Sequence, residues 1–100
     1  MARFDELIHQ PIRLRIMAAL TAHEPGAALE FTYLRDLLNL TDGNLGAHLR
    51  RLEEAGYVRL IKTFVARKPR TYVEATTRGR RAFEEHIAAL QEILSKGENK

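Results

Sequence analysis

The segment Thr41–Tyr57, TDGNLGAHLRRLEEAGY, constrains this chain more than any other stretch. Thr41 is placed to cap a helix, its hydroxyl accepting a bond from an otherwise free N–H of the first turn. Leu45, Leu49 and Leu52 recur at i, i+4 and i+7, one stripe of an amphipathic helix. Gly56 can adopt the left-handed conformation that ends many helices. The face opposite the leucines carries Gly43, Ala47, Arg50 and Glu54, flanked by Asn44 and Arg51. That face is small, then basic, so it can approach another molecule closely.

Charge points the same way. Residues 50–81 hold ten Lys or Arg against three Glu, a net of +7, while the other 68 residues sum to −4. Basic charge gathered in one segment is the footprint of a polyanionic partner. Arginine outnumbers lysine there, and its planar fork suits phosphates and base edges. One hundred residues fit a single domain spanning 1–100. The chain has no cysteine, which excludes disulfides, thiolate metal sites and a cysteine nucleophile. Neither a signal-peptide pattern nor a membrane span is expected, so the expected location is cytoplasmic.

Taken in order, Asp5 to His9 reads as a short amphipathic lead-in. Pro11 suits the first position of a helix ending near Ala22, with Ile12, Ile16, Met17 and Leu20 inward and Arg13 and Arg15 outward. His23-Glu24-Pro25-Gly26 is a turn cluster. Leu29-Glu30-Phe31 reads as a minimal strand. Thr32 can cap a helix from Tyr33 to Asn39, with Leu34, Leu37 and Leu38 inward. Two short helices joined at Leu40 form a helix-turn-helix signature. Tyr57–Val65 and Thr71–Ala75 read as strands of a hairpin whose tip is Arg67-Lys68-Pro69-Arg70. Thr76 or Thr77 caps a last helix to about Ser95, and residues 97–100 should fray. The fold class is mainly α with a small β-hairpin: a winged helix-turn-helix with a long C-terminal helix.

In this order and spacing the chain resembles the winged-helix transcriptional regulators of the MarR and ArsR type, and most of all their small single-domain relatives. The resemblance covers essentially the whole chain. It rests on residues 11–20 (PIRLRIMAAL), 34–40 (LRDLLNL), 42–58 (DGNLGAHLRRLEEAGYV), Arg70-Thr-Tyr72 and Thr77-Arg-Gly-Arg80. It implies a recognition helix over residues 41–56 in the major groove and a wing over residues 65–71 on the backbone or minor groove. By position, Thr41, Asn44, Gly46, Ala47, Arg50 and Arg51 would lie near DNA. Relatives commonly carry serine where this chain has Gly46, so one polar contact is missing. The cysteine-based metal site of many ArsR-type sensors cannot exist here.

Each candidate has a plainer alternative. Arg50 is either a base or phosphate contact or a solvated partner of Glu54. Asn44 either reads DNA or makes a local cap interaction. Arg67, Lys68 and Arg70 read as phosphate or minor-groove contacts, since a hairpin tip needs no cations to fold. Thr32 and Tyr33 could meet phosphate at a helix start, or Thr32 could be a cap alone. Arg78, Arg80 and Arg81 sit near a helix N-terminus, which disfavours cations and mildly favours an external anion. His9, His23, His48 and His86 share no metal-ligand spacing, and His48 suits half-buried packing or hydrogen bonding. No catalytic constellation, metal or cofactor is expected.

The last helix carries Phe83, Ile87, Leu90 and Leu94 as a stripe, widened by Ile93. That is more apolar surface than a small core can cover. With Phe4, Leu7 and Ile8 it is expected to form a homodimer interface centred on residues 77–95, the alternative being intramolecular packing on the first helix. The expected function is sequence-specific binding of double-stranded, pseudo-palindromic DNA by a homodimeric regulator whose effector the sequence does not name. The second reading is a winged-helix protein–protein interaction module of a larger complex, and the third is an RNA-binding winged helix.

Overall fold

The computed structural model describes residues 1–98, ordered as α1 (Glu6–His9), α2 (Pro11–Thr21), β1 (Ala28–Glu30), α3 (Phe31–Leu37), α4 (Asp42–Glu54), β2 (Val58–Val65), β3 (Lys68–Ala75) and α5 (Thr77–Glu98). Two left-handed residues set the path through the central third. Asn39 (φ 55°) ends α3, with its N–H bonded to Asp36 O and the Leu40 N–H to Arg35 O. Gly56 (φ 79°) ends α4 in the same way, its N–H reaching Glu53 O and the Tyr57 N–H reaching Leu52 O. Both are Schellman closures, which satisfy terminal carbonyls while reversing the chain. They deliver α4 at an angle to α3 and then launch β2.

The leucine stripe of α4 is the centre of the core: Leu45, Leu49 and Leu52 are all buried. Ile16, Met17 and Leu20 of α2, Leu34 and Leu38 of α3, and Val58, Val73 and Ala75 of the sheet complete it. Truncating any of these leucines to alanine costs about 2–5 kcal/mol. Ile8 of α1 is also fully buried. It therefore belongs to the chain's own core and has no surface to offer a second copy, contrary to its expected place in a dimer face.

Local sequence rules explain most boundaries. Pro11 opens α2, with Gln10 Oε1 accepting from the Arg13 N–H at 2.9 Å. Thr41 Oγ1 accepts from the Asn44 N–H at 3.1 Å, as its capping position requires. Helix α3 departs from expectation. It begins at Phe31 rather than Tyr33, and its N-cap is Glu30, with no side-chain cap bond. Thr32 thus sits inside the first turn, where its hydroxyl donates to Glu30 Oε1. Leu37 is 52% exposed, because Leu34 and Leu38, four residues apart, already occupy the inward face of so short a helix.

The sheet is antiparallel in the order β1-β3-β2. Pairing of β2 with β3 runs without interruption from Val58↔Ala75 to Val65↔Lys68. The hairpin tip is therefore only Ala66-Arg67, and not Arg67–Arg70 as the proline suggested. Both tip residues have positive φ (51° and 67°), the requirement of a type I′ two-residue turn. Pro69 is tolerated in the strand because it lies next to the closing pair, where an N–H points away from β2. On that open side β1 reaches only as far as Glu30↔Tyr72.

Helix α5 begins on Thr76, whose Oγ1 accepts from the Gly79 N–H (3.0 Å) and donates to Gly56 O (2.6 Å). One side chain thus ties the end of α4 to the start of α5. The helix continues to Glu98, past the expected end at Ser95; Asn99 and Lys100 lie outside the described residues. At 1.5 Å per residue, 22 residues make a rod of about 33 Å. It gives the molecule its elongated 59 × 25 × 21 Å outline.

Candidate nucleic-acid interface

With its leucines turned inward, α4 leaves Thr41, Asn44, Ala47, Arg50 and Arg51 exposed and Gly46 half-buried. Beside Gly46 lies the end of Arg50: its Nη1 is 3.9 Å from the point a Cβ on Gly46 would occupy. The guanidinium therefore folds back along bare backbone at Gly46. Among the described residues Arg50 makes no ion pair with Glu54, so its charge is available to a partner. Arg51 lies near Arg13 and His48 and opposes protonation of that imidazole.

Arg13 is not the outward residue that the α2 pattern suggested. Its Nε donates to Leu7 O (2.6 Å) and its Nη1 to His48 Nδ1 (3.0 Å). A guanidinium can only donate, so His48 Nδ1 is unprotonated and the ring is held neutral. Burial first, then Arg13 and Arg51, push the His48 pKa down. His48 is half-buried and hydrogen-bonded, as its position on the helix implied.

The front of the helix-turn-helix contains a residue the sequence reading passed over. Arg35 donates from Nε to Asp36 Oδ1 (2.9 Å) and from Nη1 to Asp42 Oδ1 (2.8 Å). These two carboxylates raise its pKa. In turn Arg35 offsets the negative charge of Asp42 at the start of α4. Its signal in the sequence was an arginine seven residues before an acidic first-turn residue, across a short turn. Tyr33 is 53% exposed at the start of α3, and Thr32 is exposed beside it.

On the wing, Arg67 and Lys68 are exposed, whereas Arg70 is half-buried. Arg70 Nη1 donates to Glu30 Oε2 at 2.6 Å. The Thr32 hydroxyl and then Arg70 hold the Glu30 carboxyl below its ordinary range. Arg70 therefore anchors the base of the wing to the start of α3 and is not the free cation expected. Arg80 is also structural. Its Nη2 donates to Glu24 O (2.9 Å) and more weakly to Leu20 O (3.4 Å), and its Nη1 donates to Thr21 O (3.4 Å). It thus serves the carbonyl end of α2, where a cation is favoured. Arg78 stacks at 6.0 Å over the Tyr57 ring.

At the other end of the molecule, Asp5 makes three contacts. Its Oδ1 caps α1 through the Ile8 N–H (3.0 Å), its Oδ2 accepts from the Tyr57 hydroxyl (2.5 Å), and its own N–H donates to His86 Nδ1 (2.9 Å). His86 Nε2 faces His9 Nδ1 at 3.3 Å, and the Phe4 ring packs on both imidazoles. His86 of α5 is fully buried; nothing in the local sequence around His86 or His9 marks the two as partners, since they lie 77 residues apart. Among the described residues no group of three or more His, Asp or Glu could hold a metal ion. Of the expected dimer residues, Leu7, Phe83, Ile87 and Leu90 are half-buried and Phe4 is partly exposed, while Ile93 and Leu94 are 56% and 67% exposed.

A helix-turn-helix followed by a protruding hairpin on a three-stranded sheet defines a winged helix-turn-helix protein. The chain belongs to the winged helix DNA-binding domain family, whose profile matches residues 12–94. It is 38% identical over 88 residues to an uncharacterized protein of Methanocaldococcus jannaschii, covering 88% of this chain and 92% of that one. The structure of a transcriptional regulator homologue from Pyrococcus horikoshii superposes with a TM-score of 0.82 at 32% identity, covering 92% of this chain and 88% of that chain. The fold is shared with S. aureus MepR in its DNA complex (TM-score 0.67, 19% identity, 83% and 65% of the two chains). These relationships place the chain among winged-helix regulators, not enzymes. No helix among the described residues is long and apolar enough to cross a membrane.

Proposed function

We propose that this protein is a homodimeric, cytoplasmic transcription regulator that binds double-stranded DNA sequence-specifically, with α4 in the major groove and the wing on the backbone or minor groove. The observation that carries this reading is the solvent face of α4. It combines nearly bare backbone at Gly43, Gly46 and Ala47 with exposed Asn44 and Arg50. Small residues let the helix seat deeply, Arg50 and Asn44 suit guanine and adenine edges, and Thr41 and the free N–H groups of the helix start suit phosphate. Arg67 and Lys68 add backbone contacts.

Dimerisation is supported by the C-terminal half of α5, where Ile93 and Leu94 remain exposed on a helix that projects from the body. Two copies joined there would present their α4 helices to half-sites about 34–36 Å apart. Enrichment of duplexes from a random pool, followed by shift assays over a salt series, tests the reading. A palindromic motif and a steep salt dependence are expected, with Arg50→Ala relaxing base preference. Recovery of no motif would refute sequence-specific binding. A monomer by sedimentation at micromolar concentration would refute the dimer.

A further inference from the structure

The wing carries an apolar surface that its cations do not explain. Phe64 is 73% exposed and Val65 43% exposed. Both lie in the two-stranded part of the hairpin, beyond the pair Glu30↔Tyr72 at which β1 stops. Residues 58, 60, 62 and 64 of β2 share one face with 75, 73, 71 and 69 of β3. The inner half of that face is core, because Val58, Val73 and Ala75 are buried. Phe64 and Pro69 therefore extend the core-facing side of the sheet outward, and both are exposed.

The two residues oppose each other directly in the ladder. They occupy a non-hydrogen-bonded position, where side chains of facing strands come closest. The result is a narrow apolar blade stiffened by a proline. Its register is fixed by the two-residue turn at Ala66-Arg67. Folding does not call for a phenylalanine here, since most of its ring stays in water. The blade is framed by Lys62 on its own face and by Arg67 and Lys68 at the tip, all exposed. A partner that is anionic at its rim and apolar within matches that frame: a base step between two phosphate strands.

We propose that Phe64, backed by Pro69, is a wedge that enters the minor groove of the bound duplex and partly unstacks one base step. The inference rests on the double-stranded DNA reading above and deepens it. The wing then reads deformability as well as supplying charge, and flexible pyrimidine–purine steps are the preferred point of entry.

A duplex selected for binding, with 2-aminopurine placed in turn at the steps facing the wing, provides the test. Wild-type protein should raise the fluorescence of one position on binding. Phe64→Ala should abolish that rise and weaken binding roughly 5- to 100-fold, the loss that one base–aromatic stacking contact represents. Its melting temperature and salt slope should stay unchanged. Phe64→Leu should keep part of the signal, and Arg67→Ala should keep all of it while lowering the salt slope. Tight wild-type binding with no fluorescence change, or Phe64→Ala binding like wild type, would overturn the wedge and leave the DNA reading standing. Failure of the wild type to retain any duplex would overturn both, and Phe64-dependent binding to anionic phospholipid vesicles in that case would assign the blade to a membrane surface.

Discussion

Gly79 lies so close to Tyr57 that a Cβ on it would sit 2.0 Å from the Tyr57 carbonyl oxygen. The contact is made at the crossing where α4 ends and α5 begins, and the obstacle is backbone. No side chain can move aside to relieve it. Gly79→Ala should therefore destabilise the protein by about 3 kcal/mol or more, at or above the upper end of ordinary overpacking. Gly46→Ala should do the opposite. Its Cβ would meet only Arg50 Nη1, at 3.9 Å, and alanine in place of a mid-helix glycine stabilises by about 0.5–1 kcal/mol. Urea denaturation of both variants checks the pair, and equal losses in the two would contradict the geometry.

Arg80 should behave as a structural residue. Its guanidinium serves the carbonyls of Leu20, Thr21 and Glu24, and hydrogen bonds from charged groups contribute about 1.5–3 kcal/mol where they are protected from water. Arg80 is half-buried and the 3.4 Å contacts are weak, so Arg80→Ala should cost about 1–2 kcal/mol. The slope of log affinity for DNA against log salt should not change. A lower slope would mean that Arg80 meets phosphate after all.

The contrast between these residues shows what the sequence disclosed. Periodicity found α2, α4 and α5, because Leu45, Leu49 and Leu52 have one burial solution. Thr41 and Gly56 marked the ends of α4 through local chemistry alone. Pro69 suggests a turn by composition, yet it pairs with Phe64 inside the strand, so the tip lies earlier in the chain than expected. A type I′ turn at Ala66-Arg67 has no composition signature without glycine or asparagine. Arg13 is expected outward, and Arg70 and Arg80 toward an external anion, yet each meets a partner inside the fold. Their partners, His48, Glu30 and the α2 carbonyls, lie 35, 40 and more than 50 residues away in sequence. Helical geometry says which way an arginine points, but not what the fold brings to meet it.

The wing cations are of two kinds. Arg67 and Lys68 are exposed, so each that neutralises a phosphate should lower the salt slope by about 0.9 when replaced by alanine. Arg70 is held by Glu30 across the base of the wing. Arg70→Ala should leave the slope unchanged and cost no more than about 1 kcal/mol of stability, as a partly exposed pair does. Shift assays at several salt concentrations distinguish the cases. A slope reduced equally by all three variants would show that Arg70 releases Glu30 to bind DNA.

Acid should loosen the junction of α1 with α5. His86 Nδ1 accepts from the Asp5 N–H, so its proton resides on Nε2, toward His9 Nδ1. Protonating His86 would set a second donor against the Asp5 N–H. Burial, followed by the nearby His9, holds its pKa below the ordinary value of 6.5, against the opposing pull of Asp5 and Glu6. His48 is lowered as well, by burial, Arg13 and Arg51. A depressed histidine pKa means that the unfolded chain takes up the proton first. Stability therefore rises with pH between the folded value and about 6.5, and it is lost as pH falls below about 6.5. The slope is at most about 1.4 kcal/mol per pH unit for each histidine. Urea midpoints measured from pH 8 to 5.5 should be flat above 7 and fall below it. His86→Gln should flatten part of that fall and leave the His48 share. An undiminished fall in His86→Gln would place the acid sensitivity outside the cluster of Phe4, His9 and His86.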